Sequence, residues 1–233
     1  MKRKRQEAIV AGIDVGGVAK GFHAVALAHS KYFDQMSSCD PDAVAAWCRD
    51  RGARAVGIDA PIKWSTTGKA RAAERELIAS KISCFPTPRE EVARSHPTNY
   101  FGWMLNGARL YRAMEHHFRR FDGTNVSGRT VCFETFPQAI ACSLAGRVIS
   151  AKNKGVARRA LLKSAGVRTE LLLSIDAVDA ALCALSADYL LRNEYRTYGD
   201  RLEAFIVVPR RCSASDAHDH GQQSVNALSR NDV

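Results

Sequence analysis

The chain has 233 residues, of which 46% are hydrophobic and 25% charged, a composition typical of a folded globular protein with room for one large domain. It contains no apolar run near the roughly 18 residues that a membrane-spanning helix needs, and no signal-peptide cleavage pattern, so we expect a cytoplasmic protein without a membrane partner. The 34 Lys and Arg residues against 24 Asp and Glu give a net charge of +10, which favours a nucleic acid or nucleotide partner.

The first elements are three strands and a helix. Apolar runs separated by glycines and turn residues predict strands at 8–15, 21–28 and 31–36, arranged as an antiparallel meander. A helix is predicted to begin at Pro41, because Asp40 suits the N-cap position and proline suits the first helical position.

The middle of the chain has a less regular pattern. A strand at 54–59 is followed by a charged helix at 69–81, and the three prolines of 82–97 predict an irregular loop. A long helix with an aromatic face is predicted at 98–121. We therefore expect residues 60–128 to form a helical and loop insertion.

The last third alternates strands and helices. The tail at 210–233 is rich in polar residues and lacks periodicity, which predicts disorder. The order of elements predicts one mixed α/β domain over residues 1–209. The predicted elements here are a strand at 129–135, helices at 137–145, 153–165 and 176–192, and a strand at 204–209.

Three acidic residues stand at the ends of apolar strands. Asp14 lies late in the first strand, Glu134 ends the strand "VCFE", and Asp59 ends the central strand shortly before Pro61. The proline prevents the central strand from continuing and leaves its carboxylate at the sheet edge. In α/β sheets, functional sites gather where strands end and loops begin.

Two further acidic residues open an apolar helix in "SIDAVDAALCALSADYL". Asp176 and Asp179 are three residues apart, so they share one face near the helix N-terminus. Because the rest of this helix is almost wholly apolar, its acidic first turn must lie against the domain.

Carboxylates gathered at one place repel one another unless a cation lies among them. Asp and Glu oxygens without His or Cys suit Mg²⁺ or Mn²⁺ rather than zinc. Two such ions can align a water molecule and hold a phosphate. Each residue also has an ordinary structural interpretation: Asp14 and Asp59 as turn residues, Asp176 as a helix cap, Asp179 as a partner of the helix dipole, and Glu134 as a solvated strand end.

Five short stretches occur in the order "GIDVGG", "VGIDAPIKW", "SCFPTP", "CFETFPQA" and "DAVDAALCAL". Together they resemble the DUF429 family of predicted RNase H-like nucleases, over residues 8–209. The resemblance implies an RNase H-like α/β fold, with a five-stranded mixed sheet of order 3-2-1-4-5, its first three strands antiparallel, and helices on both faces.

The resemblance also implies roles for particular residues. The catalytic and metal-binding set is Asp14, Asp59, Glu134 and Asp179, with Asp176 as a further metal ligand. The substrate-binding set is Arg71 and Arg75, which follow the Asp-Ala-Pro loop, and Lys154 and Arg158 of "KNKGVARR", which are candidate phosphate contacts.

The leading hypothesis is a metal-dependent nuclease or phosphodiesterase, and it requires the carboxylates of Asp14, Asp59 and Glu134 to lie on one side of the fold. A second hypothesis is an ATP-dependent phosphotransferase similar to actin and sugar kinases. It rests on "GIDVGG" and on "FDGTNVSG" at 121–128 as two phosphate loops. A third is a nucleic-acid-binding module without catalytic activity.

The insertion is rich in aromatic residues that have two interpretations. Packing in the core or in a lid is favoured over stacking on nucleic-acid bases. The residues concerned are Trp64, Phe85, Tyr100, Phe101 and Trp103.

Overall fold

Residues 8–124 and 126–210, which the computed structural model of the chain describes, form an eight-stranded mixed sheet with helices on both faces. The strands are β1 (Ile9–Val15), β2 (Phe22–Ala28), β3 (Lys31–Ser38), β4 (Ala53–Asp59), β5 (Arg119–Arg120), β6 (Val131–Glu134), β7 (Tyr195–Asp200) and β8 (Ala204–Pro209). The helices are α1 (Pro41–Asp50), α2 (Ala72–Ala79), α3 (Glu90–Ser95), α4 (Gly102–Met114), α5 (Pro137–Ala145), α6 (Lys154–Ser164) and α7 (Ile175–Leu191).

The expectation of a five-stranded sheet is wrong, because the sheet has eight strands in the order β3-β2-β1-β4-β6-β8-β7, with β5 paired to β6. The order 3-2-1-4 of the first four strands is as expected. Strands β1, β2 and β3 pair antiparallel, and β1 pairs parallel with β4. The additional strands are β5, which has two exposed arginines, and the antiparallel pair β7 and β8 beyond β6.

Two of these strands carry too little apolar signal for detection from the sequence. Strand β7 has the sequence "YRTYGD", in which Tyr198 is the one buried residue, and its pairing with the apolar β8 holds it in the sheet. Strand β5 was included in the helix predicted at 98–121. The chain leaves that helix after Met114, and Arg119 N then donates to Thr130 O at 3.0 Å beside β6.

The other boundaries differ by a few residues. Helix α2 is shorter than the predicted 69–81, and the predicted loop at 82–97 contains the short helix α3. The helix predicted to begin at Pro41 does begin there, and the side chain of Asp40 accepts from Asp42 N at 3.0 Å. The disorder predicted for 210–233 falls on residues outside the described range, with the exception of Arg210. The backbone N of Arg210 donates to Glu194 O at 2.7 Å.

Two apolar cores lie on opposite faces of the sheet. Helices α5, α6 and α7 pack on one face and α1 and α4 on the other. Helix α7 is buried along most of its 17 residues because it lies across the centre of the sheet. In the part of the chain that the structure describes, no helix combines the length and apolarity needed to cross a membrane.

Two glycines allow α7 to pack directly on the strand backbone. A Cβ atom on Gly12 would lie 2.0 Å from Ala184 N, and one on Gly57 would lie 2.5 Å from Cys183 O. Side chains alternate along a strand, so the aspartates two residues after these glycines project from the same face, beside the helix. The repeated tripeptide Gly-Ile-Asp therefore places both a close helix contact and a carboxylate on each strand.

We expect Gly12→Ala to lower the free energy of unfolding by about 2–3 kcal/mol, because the new methyl group overlaps the backbone of α7. Urea denaturation followed by circular dichroism measures this change as a lower midpoint. The matched control is Gly17→Ala, where the added Cβ would meet no atom within 4 Å. Equal midpoints for the two variants would contradict the close packing of α7 on β1.

Candidate active site

Three aspartates meet where β1 and β4 end against the first turns of α7. Asp14 and Asp59 are aligned partners on the two neighbouring parallel strands, so their side chains lie on the same face. Asp179 of α7 is buried close to both, and its negative charge contributes to the raised pKa of each. The structure thus brings together three of the four carboxylates that the sequence singled out for catalysis.

The fold disfavours ionisation of Asp14 and Asp59. Burial, and then the negative charge of Asp179, raises the pKa of Asp14 from 3.8 to about 7. Burial, and then the charge of Asp14, raises the pKa of Asp59 well above its ordinary value. The ammonium of Lys20 is 4.0 Å from Asp14 Oδ2, while the carboxylate of Asp59 has no hydrogen bond or ion pair with any residue in the described ranges. Among the described residues, Asp14 thus has one distant ion pair and Asp59 has none.

Asp179, in contrast, is held by two cations from α6. The guanidinium of Arg158, which is buried, donates through Nη1 to Asp179 Oδ1, and Lys154 Nζ lies 3.3 Å from Oδ2. Arg158 Nη2 also donates to Gln138 Oε1 at 3.1 Å, which fixes the guanidinium between two helices. The two residues expected to contact phosphate therefore do lie at the aspartate cluster, where they bind a carboxylate.

Asp176 lies beside this cluster and has two partners that sequence reasoning missed. Lys20 Nζ donates to Asp176 Oδ1 at 2.7 Å, and His23 Nε2 is 3.6 Å from Oδ2. Because β1 and β2 form a hairpin in which Asp14 pairs with His23, both missed residues come from the segment opposite Asp14. The predicted antiparallel meander was the signal that would have identified them.

Glu134 belongs to a different cluster. It is aligned with Ile58 rather than with Asp59, so its side chain points to the opposite face of the sheet. Its two oxygens accept from the Nη atoms of Arg71 at 2.5 and 2.9 Å, and Oε2 also accepts from Ile62 N at 2.9 Å. Glu134 therefore does not share the face of the three aspartates, although it lines the same cleft as Asp59.

Arg71 is buried at the centre of this second cluster, with 1% of its surface exposed. Its Nε donates to Glu74 Oε1 at 2.9 Å, and its Nη1 to Glu203 O at 3.4 Å. This network joins β6 to the insertion and to the chain before β8, and it leaves Arg71 no surface for a substrate phosphate. Arg75 is exposed, with Nη1 at 4.0 Å from Glu203 Oε2. Glu74 lies three residues after Arg71, so helical spacing could have identified it as a partner of Arg71. No sequence pattern indicated Glu203, which is distant in the chain.

We expect Glu134→Gln to lower the free energy of unfolding by about 2 kcal/mol, because it removes charge-assisted hydrogen bonds from Arg71. We also expect the variant to keep any stabilisation by Mn²⁺, since Glu134 faces the other side of the sheet and both of its oxygens accept from Arg71. Thermal denaturation with and without Mn²⁺ measures both effects. The exposed Glu115→Gln is the control for charge removal. Loss of the Mn²⁺ response in Glu134→Gln alone would contradict the separation of the two clusters.

A narrow cleft of about 50 Å³ lies between the ends of β4 and β6 and the insertion. Asp59 lines it together with the aromatic rings of Phe85, Trp103 and Phe136. Arg71, Glu74 and Glu134 of the second cluster line the same cleft. Cys84 lines it as well, but burial raises the pKa of its thiol to about 11, so the reactive thiolate is scarce at neutral pH. The chemistry of this cleft comes from its carboxylates.

The donor set suits a hard divalent cation. Mg²⁺ commonly takes one or two carboxylates and fills its other positions with water and substrate phosphates. Asp14 and Asp59 supply that number of carboxylates. Across residues 8–124 and 126–210, no three Asp, Glu, His or Cys residues are grouped so as to hold a metal ion. Asp179 instead pairs with Arg158 and Lys154.

The two glycine stretches proposed as paired phosphate loops lie at opposite ends of the sheet's strands. Gly16 follows the end of β1. Ser127 and Gly128 line a cavity of about 350 Å³ with Ala8 and Arg54, at the edge where β1 and β4 begin. The two loops do not face a common ligand, so this arrangement gives no support to a kinase-like phosphate site.

Comparison with models of protein families gives a match. The model of a family described as "Protein of unknown function (DUF429)" matches residues 12–203 of the chain. This range includes both acidic clusters and the insertion. No protein of established function in the curated collection matches the chain.

Proposed function

The chain belongs to the DUF429 family, and from this premise we propose that it is a metal-dependent phosphodiesterase with an RNase H-like fold that cleaves nucleic acid. The strand order 3-2-1-4 and the antiparallel first three strands support the fold assignment. Acidic residues at the ends of the first and fourth strands, in register with each other, support the activity.

The observation that carries the proposal is the pair formed by Asp14 and Asp59. Two buried carboxyls with raised pKa values lie side by side at the ends of two strands, and nearby cations such as Lys20 do not offset their burial and mutual repulsion, so they destabilise the folded chain when they ionise. Such groups cluster at functional sites more often than elsewhere. A divalent cation bound between them would offset the repulsion between the carboxylates of Asp14 and Asp59, so that both could be ionised as metal ligands. Asp14 and Asp59 are therefore the proposed ligands of Mg²⁺ or Mn²⁺, with Asp179 beside them. Glu134, which the hypothesis from the sequence required on the same side, faces the other side of the sheet and is not among the proposed ligands.

When bound, the ion supplies a water molecule of lowered pKa and neutralises charge on the phosphate. Side chains of the protein contact the phosphate and hold the carboxylates in position. Lys154 and Lys20 have side chains that are 43% and 50% exposed beside the carboxylates, so their ammonium groups are available to a phosphate oxygen. Arg158 is buried and fixed by two hydrogen bonds, and it holds Asp179 in place. We assign Arg158 a positioning role and the two lysines the phosphate contacts.

Metal binding is expected to raise the melting temperature. An ion present at 100 times its Kd stabilises the native state by about 2.7 kcal/mol, which corresponds to about 5–10 °C for a chain of this size. Differential scanning fluorimetry with Mg²⁺, with Mn²⁺ and with EDTA measures this shift. Equal melting temperatures in all three conditions would contradict the metal site.

Cleavage is tested with labelled single-stranded and double-stranded DNA and RNA, incubated with Mn²⁺ or with EDTA. Metal-dependent shortening of any of these substrates supports the phosphodiesterase. A chain that binds ATP in the micromolar range and cleaves none of them would instead favour the phosphotransferase. A chain whose melting temperature responds to neither ion, and which cleaves none of the substrates, would favour the nucleic-acid-binding module without catalytic activity.

A further inference from the structure

The insertion presents two aromatic rings to solvent. Phe85 is 64% exposed and Tyr100 is 53% exposed, whereas the sequence favoured packing in the core or in a lid. The centroids of these two rings are 6.4 Å apart, and Tyr100 contacts Phe101 edge-on at 5.0 Å. The rings thus support one another while keeping large surfaces open. We call Phe85 and Tyr100 the aromatic platform.

The platform adjoins the aspartate cluster. Phe85 and Trp103 line the same cleft as Asp59. Helix α4, which begins two residues after Tyr100, packs tightly on the end of β4, since a Cβ on Gly107 would lie 2.4 Å from the Ala60 Cβ. The packing of α4 therefore fixes Tyr100 relative to the end of β4, and Phe85 lines the cleft that reaches Asp59.

Charge narrows the choice of ligand. The ammonium groups of Lys20 and Lys154 lie at the carboxylates. Two further arginines of the insertion, Arg75 and Arg89, have side chains that are 59% and 49% exposed. Together with the net charge of +10, these cations favour a polyanion over an uncharged apolar partner. Aromatic rings next to cations are the combination with which proteins bind single-stranded nucleic acids.

We propose that Phe85 and Tyr100 stack on unpaired bases, so that the substrate of the aspartate site is single-stranded nucleic acid. The inference rests on the proposed function, because it names the substrate of the same site. The cleft of about 50 Å³ is smaller than a base, so the bases lie on the open faces of the rings. A duplex cannot bind in this way, because its bases are already stacked on each other. An unpaired base on the platform leaves the neighbouring phosphate free to approach Asp14 and Asp59.

The test measures binding separately from cleavage. Fluorescence anisotropy in EDTA compares labelled single strands of roughly 12 nucleotides, one of DNA and one of RNA, with a duplex of the same sequence. Phe85→Ala and Tyr100→Ala are each expected to weaken single-strand binding by about 5- to 100-fold and to leave duplex binding unchanged. Phe85→Trp is expected to keep or strengthen it. The DNA and RNA strands show which sugar the site prefers.

The matched control is Phe33→Ala, which removes a ring that is 48% exposed on the edge strand β3. It is expected to bind single strands like the wild type. Melting temperatures and circular dichroism of all variants confirm that they are folded. The inference is overturned if the wild type binds no single strand, if the platform variants bind it normally, or if duplex binding falls equally. It is also overturned if Phe85→Ala acts by dissociating a dimer in size-exclusion chromatography.

This design separates the two proposals. Ring-dependent binding without metal-dependent cleavage would leave the stacking inference intact and contradict the phosphodiesterase. Metal-dependent cleavage that is insensitive to both platform variants would support the phosphodiesterase and overturn the stacking inference.

Discussion

Asp14→Asn and Asp59→Asn are each expected to lower the rate of metal-dependent phosphodiester cleavage by roughly 1,000-fold, since a metal ion supplies several kcal/mol of transition-state stabilisation. Asparagine keeps the shape of aspartate but loses the negative charge that holds a divalent cation. Initial rates on a labelled oligonucleotide with saturating Mn²⁺ measure the loss. Wild-type activity in either variant would contradict the assignment of these two residues.

The same variants are expected to fold at least as well as the wild type in the absence of metal. Replacing a desolvated carboxylate by an amide removes a charge that the fold does not neutralise. Melting temperatures in EDTA should therefore be equal to or above that of the wild type, which shows that the loss of cleavage is not a loss of structure. Asp50→Asn, at a half-exposed residue of α1, is the control and should keep full activity.

The second large effect is a fall in stability as the pH rises, in the absence of divalent metal. The pKa of Asp14 is 3.8 in its ordinary state and about 7 in the fold. Between these values the folded chain binds a proton that the unfolded chain has released, so the free energy of unfolding decreases as the pH increases. A shift of about three pH units corresponds to about 4 kcal/mol. Asp59 shifts in the same direction and adds to the slope.

Urea denaturation at pH 5 and pH 7.5 in EDTA measures this fall. Asp14→Asn should flatten it, because the group that titrates is then absent. Saturating Mn²⁺ should also reduce it, since the ion binds the ionised carboxylates and stabilises the native state most at the higher pH. A stability that does not change between these pH values, or an identical slope in Asp14→Asn, would contradict the burial of an uncompensated carboxyl.

The strands in the first half of the chain could be predicted because their signals are local, whereas their order in the sheet was implied by the family resemblance. An apolar run that ends in Asp14 and another that ends in Asp59 each define a strand and its final residue. The glycines two positions earlier mark the face on which α7 packs. Each pattern lies within a few residues, so spacing was enough to mark the two aspartates as strand ends, while the resemblance to the DUF429 family supplied the expectation that Asp179 joins them.

The placement of Glu134 could not be predicted in the same way. A strand of four residues shows no alternation that would define its faces, and a shift of one residue reverses the face of every side chain. Only the alignment with Ile58 shows that Glu134 points away from the aspartates. Its partner Arg71 looked like a surface cation in sequence, yet it is buried among carboxylates supplied by distant segments.

The sequence by itself determined strands β1, β2 and β3, helix α7, and the positions of Asp14 and Asp59 at strand ends, because short apolar runs and the turn residues that bound them encode these features. Only the tertiary structure decided that Glu134 and Arg71 form an internal network, that Lys20 and His23 join Asp176, and that Phe85 and Tyr100 remain exposed. These outcomes depend on strand register and on contacts between segments far apart in the chain, and such contacts leave no periodic pattern in the amino-acid sequence.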